Sequence, residues 1–213
     1  SSRKEQDAAA AAMRTEGTND PGDMWEPQLI GTLSSMVIVD VACGFAHSMV
    51  VTDKGQVFTC GKGISQALGH GVRVDEWLFR QISNLIHIKV RMVSAGALHS
   101  AAVTDEGVLY TWGTGVYGRL GHGGKESEGT PRVVEALSAP PRKRVVQIAC
   151  GRAHTTALVY DTCHAPAGGE ALYVFGDDKD GQLGLHDYDG ITCNGKKLTR
   201  IEKKVRLVKH EPV

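Results

Sequence analysis

Two blocks of sequence, VSAGALHS at residues 93–100 and YTWGTGVYGRLGHG at residues 110–123, decide the fold because the chain contains three versions of each. The other copies are VACGFAHS at 41–48 with FTCGKGISQALGHG at 58–71, and IACGRAHT at 148–155 with YVFGDDKDGQLGLH at 173–186. The glycines of the first block, Gly44, Gly96 and Gly151, lie 52 and 55 positions apart. Self-similarity at such a fixed period indicates a repeat architecture.

Each copy predicts short strands rather than helices. In the first copy, the β-rich runs Ser48–Thr52 and Gln56–Cys60 flank the tight turn Asp53-Lys54-Gly55, whose glycine can adopt positive φ. The second copy repeats this arrangement around Asp105-Glu106-Gly107, and the third has a longer loop there, Asp161–Glu170. The corresponding strand pairs are Ser100–Thr104 with Val108–Trp112, and Thr155–Tyr160 with Ala171–Phe175.

A further strand precedes each Gly-x-x-His segment, and another follows each glycine-rich block. The preceding strands are Val37–Ala42, Lys89–Ser94 and Val145–Cys150, and the following ones are Trp77–Ile82, Pro131–Ala136 and Leu198–Val208. Four short strands in each period are the content of one propeller blade, and radially arranged blades bury each other's faces. The predicted fold is all-β: a partial β-propeller of about three four-stranded blades, over residues 37–88, 89–142 and 143–208.

The two ends of the chain differ from the repeats. Residues 1–26 carry a net charge of −3 and include the alanine-rich segment Glu5–Glu16, which has high helix propensity. This segment is expected to be a frayed polar tail or a short N-terminal helix that docks on a partner. Residues 195–213 carry a net charge of +5, which is typical of a solvated tail, with a phosphate-binding patch as the alternative.

Composition excludes several classes of protein. The 213 residues include 24 basic and 24 acidic side chains, so nucleic acid is not an expected partner. No window approaches 18 uninterrupted apolar residues and no signal core opens the chain, so neither a membrane nor secretion is expected. The five cysteines form no Cys-x-x-Cys pair, which favours an intracellular location, cytoplasmic or nuclear, over a disulfide framework or a zinc site.

The two blocks resemble the repeat of the regulator of chromosome condensation family. The second copy matches most fully, at Trp112, Gly113, Gly115, Gly118, Leu120 and Gly121. The first copy has Cys60 at the tryptophan position and Gln66-Ala67 in place of Gly118-Arg119. The third copy has Phe175 in place of the tryptophan and Asp178 in place of the second glycine. The resemblance covers roughly residues 27–213, with Pro27–Leu33 expected to be the closing strand of a preceding repeat.

The resemblance implies that these are three repeats of a larger propeller, whose closed ring has seven blades. Three blades cannot close such a ring, so two sheet faces and their strand edges stay open. We therefore expect the chain to self-associate, with two copies closing head to tail as one form, or to rest against a partner that supplies the missing blades. Aggregation or a ragged monomer is the alternative.

The histidines are predicted to be structural rather than catalytic. One stands at the same place in every Gly-x-x-His segment: His47, His99 and His154. Identical placement in each repeat favours a hydrogen bond to a neighbouring strand's carbonyl. His70 and His122, in the Gly-His-Gly turns, are expected to be structural too, and the third copy has Leu185 there without an evident compensating change.

No metal site, cofactor or catalytic centre is predicted. The acidic run before Gly181 fails as an EF-hand loop because Gly176 would occupy the obligatory first carboxylate position. Cys163 and His164 lack two further nearby ligands. No nucleophile–base motif and no phosphate-binding loop is present.

The function predicted from these observations is a non-enzymatic protein-interaction module. Phe45, Ala97 and Arg152 occupy equivalent turn positions but differ in chemistry, and variable residues on a repeated scaffold are where binding specificity usually lies. Tyr117 and Arg119 are further candidate contacts, expected to be exposed anchors.

The alternative function is part of a guanine-nucleotide exchange factor for a Ran-like small GTPase. The family resemblance implies that acidic residues directly after the Gly-x-x-His glycine help that activity in some repeats. Phe45, Ala97 and Arg152 stand at those positions and none is acidic, which counts against exchange by these three repeats.

Overall fold

Three four-stranded antiparallel sheets make up the chain in a computed structural model, which describes residues 24, 26–138, 143–162, 169–185 and 206–208. The strands are β1 (Ile38–Cys43), β2 (His47–Thr52), β3 (Val57–Gly61), β4 (Glu76–Gln81), β5 (Val90–Ala95), β6 (His99–Thr104), β7 (Leu109–Gly113), β8 (Glu128–Val133), β9 (Lys143–Cys150), β10 (His154–Asp161), β11 (Glu170–Gly176) and β12 (Arg206–Val208). The helical elements in the described part of the chain are 3-10 turns at Gly31–Leu33, Ser83–Leu85, Val116–Gly118 and Glu135–Leu137. The prediction of an all-β partial propeller is confirmed.

Each sheet is one blade whose strands pair in chain order: β1 to β4 form blade 1, β5 to β8 blade 2 and β9 to β12 blade 3. The turn between β2 and β3 shows why the sequence folds this way. Gly55 has a φ of 77°, which a residue with a side chain rarely adopts, and its N–H donates to the carbonyl of Thr52 at 2.8 Å. Gly107, with a φ of 81°, repeats this turn in blade 2.

The hydrophobic core lies between neighbouring blades. One cluster joins Met49, Val51 and Leu85 of blade 1 to Val93 and Trp112 of blade 2. A second cluster joins blades 2 and 3, and it includes Val103, Leu109, Leu137, Ile148, Val159 and Phe175. Because alternate side chains of a strand point to opposite faces, each middle strand contributes to the junction on either side of its blade.

Three sequence predictions about elements need correction. Pro27–Leu33 is not a strand: residues 27–30 join no sheet, and Gly31–Leu33 is a 3-10 turn whose Leu33 packs on Val50 and Phe58. Among the described residues, no strand forms backbone hydrogen bonds with residues 27–30. In blade 2 the outer strand ends at Val133 rather than Ala136, because Glu135–Leu137 forms the equivalent 3-10 turn and buries Leu137.

The inserted loop of the third repeat is also shorter than predicted. Asp161 ends β10 and Glu170 begins β11, so both belong to the sheet. Asp161 is completely buried, accepts a hydrogen bond from the Tyr173 hydroxyl and lies 3.7 Å from Lys143 Nζ. The pair Cys163 and His164 and the N-terminal segment Glu5–Glu16 lie outside the described residues, and so do residues 195–205 and 209–213 of the basic C-terminal run.

Gln66 is predicted to be destabilising where it stands. Its φ is 62°, and the equivalent positions of the other repeats are glycines, Gly118 at 74° and Gly181 at 76°. A left-handed conformation costs a residue with a side chain about 1–2 kcal/mol. Glycine avoids this cost, but its greater conformational entropy in the unfolded chain offsets part of the gain in stability. Gln66→Gly should therefore raise the free energy of unfolding by about 0.5–1 kcal/mol in denaturant titrations. Ser65→Gly, at a neighbouring position without positive φ, is the control and should lower it.

Candidate protein-interaction face

One edge of the blades, here called the loop face, carries the β1–β2, β5–β6 and β9–β10 turns and the loops that follow β3, β7 and β11. The turns sit close to one another because their glycines have no side chain. A Cβ on Gly44 would lie 2.2 Å from His47 Cε1 and 2.6 Å from the carbonyl oxygen of Gly96. Gly96 is held in the same way, between His99 and the carbonyl of Gly151. The Gly-x-x-His spacing thus lets each histidine ring cover the glycine and each turn pack on the next.

A chain of hydrogen bonds under this face joins blade to blade. His47 Nε2 lies 2.9 Å from Ser100 Oγ in blade 2, and Ser100 Oγ donates to the carbonyl of Ala67 in blade 1 at 2.7 Å. The same relay recurs one blade later, from His99 Nε2 to Thr155 Oγ1 at 2.9 Å and from that hydroxyl to the carbonyl of Arg119 at 2.9 Å.

The relay fixes the histidine tautomer. A hydroxyl has one proton, and the hydroxyls of Ser100 and Thr155 each donate that proton to a carbonyl. The hydroxyl oxygen must therefore accept from the imidazole, so His47 and His99 carry their proton on Nε2. The direct partner is a hydroxyl rather than the carbonyl that the sequence predicted, and the carbonyl lies one hydrogen bond further on.

Burial keeps both imidazoles neutral. It lowers the pKa of His47 to about 4, and burial, followed by the charge of Arg119, lowers the pKa of His99 to about 3. A general acid or base working near neutral pH needs a pKa near that pH. These two side chains are therefore suited to holding blades together and unsuited to proton transfer.

The Gly-His-Gly histidines bond within their own blades. Thr59 Oγ1 lies 3.0 Å from His70 Nε2, and Thr111 Oγ1 lies 3.0 Å from His122 Nε2. In the third repeat, Leu185 replaces the histidine, and Val174 replaces the partner threonine. The compensating change that sequence reading missed is this second substitution, which exchanges a polar pair for an apolar one.

The predicted partner-binding residues divide between surface and interior. Phe45 is 83% exposed at the tip of its turn, Arg152 is exposed, and Tyr117 is about half exposed. Ala97 is half-buried, and its N–H donates to the carbonyl of Arg152 at 3.3 Å. Arg119 is only 4% exposed, so the expectation that it is an exposed anchor is wrong.

Arg119 instead links blade 2 to the β9–β10 turn of blade 3 through hydrogen bonds. Its Nε donates to the carbonyl of Val116 at 2.9 Å, and its Nη1 donates to the carbonyl of Arg152 at 3.3 Å. The guanidinium also lies 5.5 Å from the centre of the Tyr117 ring. Burial lowers its pKa, which Tyr117 and Asp177 partly oppose.

Exposed apolar side chains that the sequence prediction overlooked lie on the same face. Ile64 and Val116 occupy equivalent positions in the loops after β3 and β7, and both are exposed, as is Leu98 beside Ala97. Thr114 ties these loops together, with its N–H donating to Leu98 O at 2.8 Å and its hydroxyl to Ser65 O at 3.4 Å. Apolar residues at matching positions within otherwise polar glycine loops were the signal that could have revealed them.

Reactive and metal-binding chemistry is limited over the described ranges. No group of three or more histidine, cysteine, aspartate or glutamate side chains there could hold a metal ion. Burial raises the pKa of Cys60 and of Cys150 to about 11 each, so both thiols are protonated at neutral pH. No helix in the same residues is long and apolar enough to cross a membrane.

Three radially packed four-stranded blades, joined by a repeated Gly-x-x-His junction, define a β-propeller repeat protein. Profiles of the regulator of chromosome condensation (RCC1) repeat match residues 54–103 and 106–158, and a second profile of the same repeat matches 38–64 and 90–119. The chain belongs to the RCC1 repeat family.

Known relatives and structures agree with this assignment. The ultraviolet-B receptor UVR8 of Arabidopsis thaliana is 35% identical over 173 residues, which are 81% of this chain and 37% of the receptor. Yeast RCC1 (Prp20) bound to Kap60 has the same fold, with a TM-score of 0.62, 23% identity, and coverage of 86% of this chain and 40% of that one. Prp20p of Saccharomyces cerevisiae, characterised together with its binding to Gsp1p and histones, gives a TM-score of 0.50 at 25% identity over 55% of this chain and 30% of that one. The chain spans less than half the length of these proteins.

Removing one hydroxyl of the relay should destabilise the fold. Ser100→Ala leaves the buried Nε2–H of His47 without an acceptor, which costs about 1–3 kcal/mol. Ser48→Ala is the matched control, because Ser48 stands at the same repeat position but its hydroxyl has no hydrogen bond in the described residues. Chemical denaturation at low protein concentration should show the loss for Ser100→Ala and a change within about 0.5 kcal/mol for Ser48→Ala. Equal losses in both variants would contradict the relay.

Stability should fall as the pH drops below 6.5. The pKa values of His47 and His99 are lowered from 6.5 to about 4 and about 3 in the folded chain, so the unfolded chain binds protons first. Each histidine then contributes stability that is complete above pH 6.5 and is lost progressively toward its folded pKa, at up to about 1.4 kcal/mol per pH unit. Denaturation midpoints should be nearly level between pH 7.5 and 6.5 and should then decrease steadily down to pH 5. A flat profile over this range would show that the imidazoles protonate without cost in the fold.

Proposed function

We propose that the chain is a non-enzymatic protein-interaction module whose binding surface is the loop face. The observation that carries this proposal is Phe45, a large apolar side chain 83% exposed at the tip of a tightly held turn. Ile64, Val116 and Tyr117 add exposed apolar area on the same edge. Exposed apolar and aromatic groups on a rigid scaffold are favoured anchors of protein interfaces.

The scaffold under these side chains is rigid, which favours binding. Phe45 follows Gly44, which is confined between the His47 ring and the backbone of Gly96. Contact residues that are held in place before binding lose less conformational entropy when a partner docks. The exposed residues vary from turn to turn while the glycine and histidine beneath them repeat, so one framework can present different contact chemistry.

A non-enzymatic role is part of the proposal. Several groups in the described residues that could act on a substrate are held in unreactive forms: burial keeps His47 and His99 neutral with pKa values of about 4 and about 3. The Cys60 and Cys150 thiols, with pKa values of about 11, are poor nucleophiles at neutral pH. An intracellular location, cytoplasmic or nuclear, remains the expectation that accompanies this role.

A protein as the partner is also supported by relatives. Yeast Prp20p was characterised through its binding to Gsp1p and histones, and yeast RCC1 through its complex with Kap60. Gsp1p, histones and Kap60 are all proteins. We therefore expect the ligand of the three blades described above to be a protein as well. The second candidate, nucleotide exchange on a Ran-like small GTPase, is favoured by the likeness to Prp20p and disfavoured by the absence of acidic residues at Phe45, Ala97 and Arg152.

A comparison of two surface variants tests the proposed face. Phe45→Asp places a charge on the loop face, and Ile86→Asp places one at an exposed apolar position on the opposite edge of blade 1. Partners captured with the wild-type chain and identified by mass spectrometry should bind Phe45→Asp at least tenfold more weakly and Ile86→Asp with unchanged affinity. Equal binding of all three chains would refute the assignment of the loop face. Acceleration of labelled-nucleotide release from a Ran-like GTPase, well above its intrinsic rate, would replace the first proposal by the second.

A further inference from the structure

The glycine-rich loops after β3 and β7 are each tied to their own blade by a hydrogen bond from a glycine, and the two bonds differ in the charge of the acceptor. In blade 1, the N–H of Gly63 donates to Asp75 Oδ1 at 3.0 Å. In blade 2, the N–H of Gly115 donates to Ser127 Oγ at 3.2 Å. The acceptor stands twelve residues after the glycine in both blades, so Asp75 and Ser127 occupy the same structural position.

The backbone around the two acceptors is packed in the same way. A Cβ on Gly63 would collide with the carbonyl of Val74, and a Cβ on Gly115 would collide with the carbonyl of Glu126. In each blade, the residue before the acceptor therefore lies directly against the start of the loop. The exchange of aspartate for serine changes the charge at this position while the path of the chain stays the same.

The charge of the acceptor in blade 1 is balanced by a lysine that blade 2 lacks. Lys62 Nζ lies 2.8 Å from Asp75 Oδ2, and this hydrogen bond, followed by the one from Gly63, lowers the pKa of Asp75, so the carboxylate is ionised at neutral pH. In blade 2, the residue at the position of Lys62 is Thr114, whose hydroxyl donates to the carbonyl of Ser65 at 3.4 Å. Two neutral residues thus replace the ion pair.

Ser127 is accessible to a modifying enzyme. It is exposed in the irregular segment that precedes β8. Blade 2 packs on blades of the same chain on both of its sides, so this exposure does not result from an end of the chain. Glu126 and Glu128 flank the serine, and Lys125 is the one basic residue of residues 123–128. These neighbours complement the basic substrate cleft of a serine kinase that selects acidic sequences.

We propose that Ser127 is a phosphorylation site, where a phosphate group takes the place in blade 2 that the carboxylate of Asp75 has in blade 1. The phosphoryl donor is ATP, bound by the kinase. Ser127 Oγ forms a bond to the γ-phosphorus, the bond from that phosphorus to the bridging oxygen breaks, ADP leaves, and the hydroxyl proton passes to the catalytic base of the kinase. Phosphate oxygens are strong acceptors, so the N–H of Gly115 keeps a hydrogen-bond partner.

Phosphorylation would regulate binding at the loop face, and this part of the inference rests on the proposed function. Phosphoserine carries a charge of about −1.5 to −2 at pH 7. Because Thr114 stands in place of Lys62, no cation occupies the position that balances the charge in blade 1. Gly115 directly precedes Val116 and Tyr117, which are exposed on the loop face. A partner that docks on these side chains must remove water from the phosphate, so phosphorylation weakens binding.

Phosphorylation of the folded chain tests the site without any partner. Casein kinase II with Mg-ATP, followed by peptide mass spectrometry, should place phosphate on Ser127 faster than on any other serine or threonine. Ser127→Ala should abolish this phosphate, and Ser127→Thr, which keeps a hydroxyl, should retain it. The amide proton of Gly115 should move downfield in NMR spectra of the phosphorylated chain, because its acceptor has become charged. A chain that acquires phosphate only at other residues, or none, would overturn the site.

A chain with phosphoserine encoded at position 127 tests the regulation. Partners captured through the loop face should bind it about tenfold more weakly than the unmodified chain. In a Thr114→Lys background, which supplies the cation that Lys62 gives to Asp75, phosphoserine and serine should bind alike. Circular dichroism establishes that each chain is folded. Equal binding of the phosphoserine and serine chains without Thr114→Lys would overturn the regulation, whereas failure of the loop face itself appears as unchanged binding by Phe45→Asp.

Discussion

The hydrogen-bond relay from a histidine through a hydroxyl to a carbonyl is the interaction on which the rest of the structure depends. It links residues 53 and 56 positions apart in sequence, His47 with Ser100 and His99 with Thr155, and so fixes the order and spacing of the blades. The relay also explains the glycine three residues before each histidine, since the ring occupies the space that a Cβ would need. Apolar clusters supply most of the burial between blades, and the relay sets how they align.

The repeat made most of the fold predictable. Strand positions follow from alternating apolar runs and from turns such as Gly55, whose positive φ leaves little choice of residue. The exceptions have a common physical cause, because each depends on a neighbour that a linear reading does not contain. Pro27–Leu33 has the position of a closing strand but pairs with no strand in the described residues, and the 3-10 turn of Leu33 packs on the blade instead.

The candidate site was less predictable for the same reason. Exposure at a loop position depends on what packs over it, and the turn of blade 3 covers Arg119. Phe45 and Tyr117 do reach the surface as predicted. The pairing of Leu185 with Val174 could be recognised only once the hydrogen bond between Thr59 and His70 was seen, because the two positions lie in separate blocks. The division between framework and surface, with a repeated glycine and histidine inside and varied residues at the turn tips, is consistent with a scaffold that binds proteins.

The most direct test of this account is the protonation state of the relay histidines. Long-range proton–nitrogen correlation NMR of the imidazole rings distinguishes the two neutral tautomers from each other and from imidazolium. The relay predicts that His47 and His99 carry their single proton on Nε2 at pH 7 and remain neutral at pH 5, in accord with pKa values of about 4 and about 3. A proton on Nδ1, or a titration midpoint between pH 6 and 7 for either ring, would contradict it.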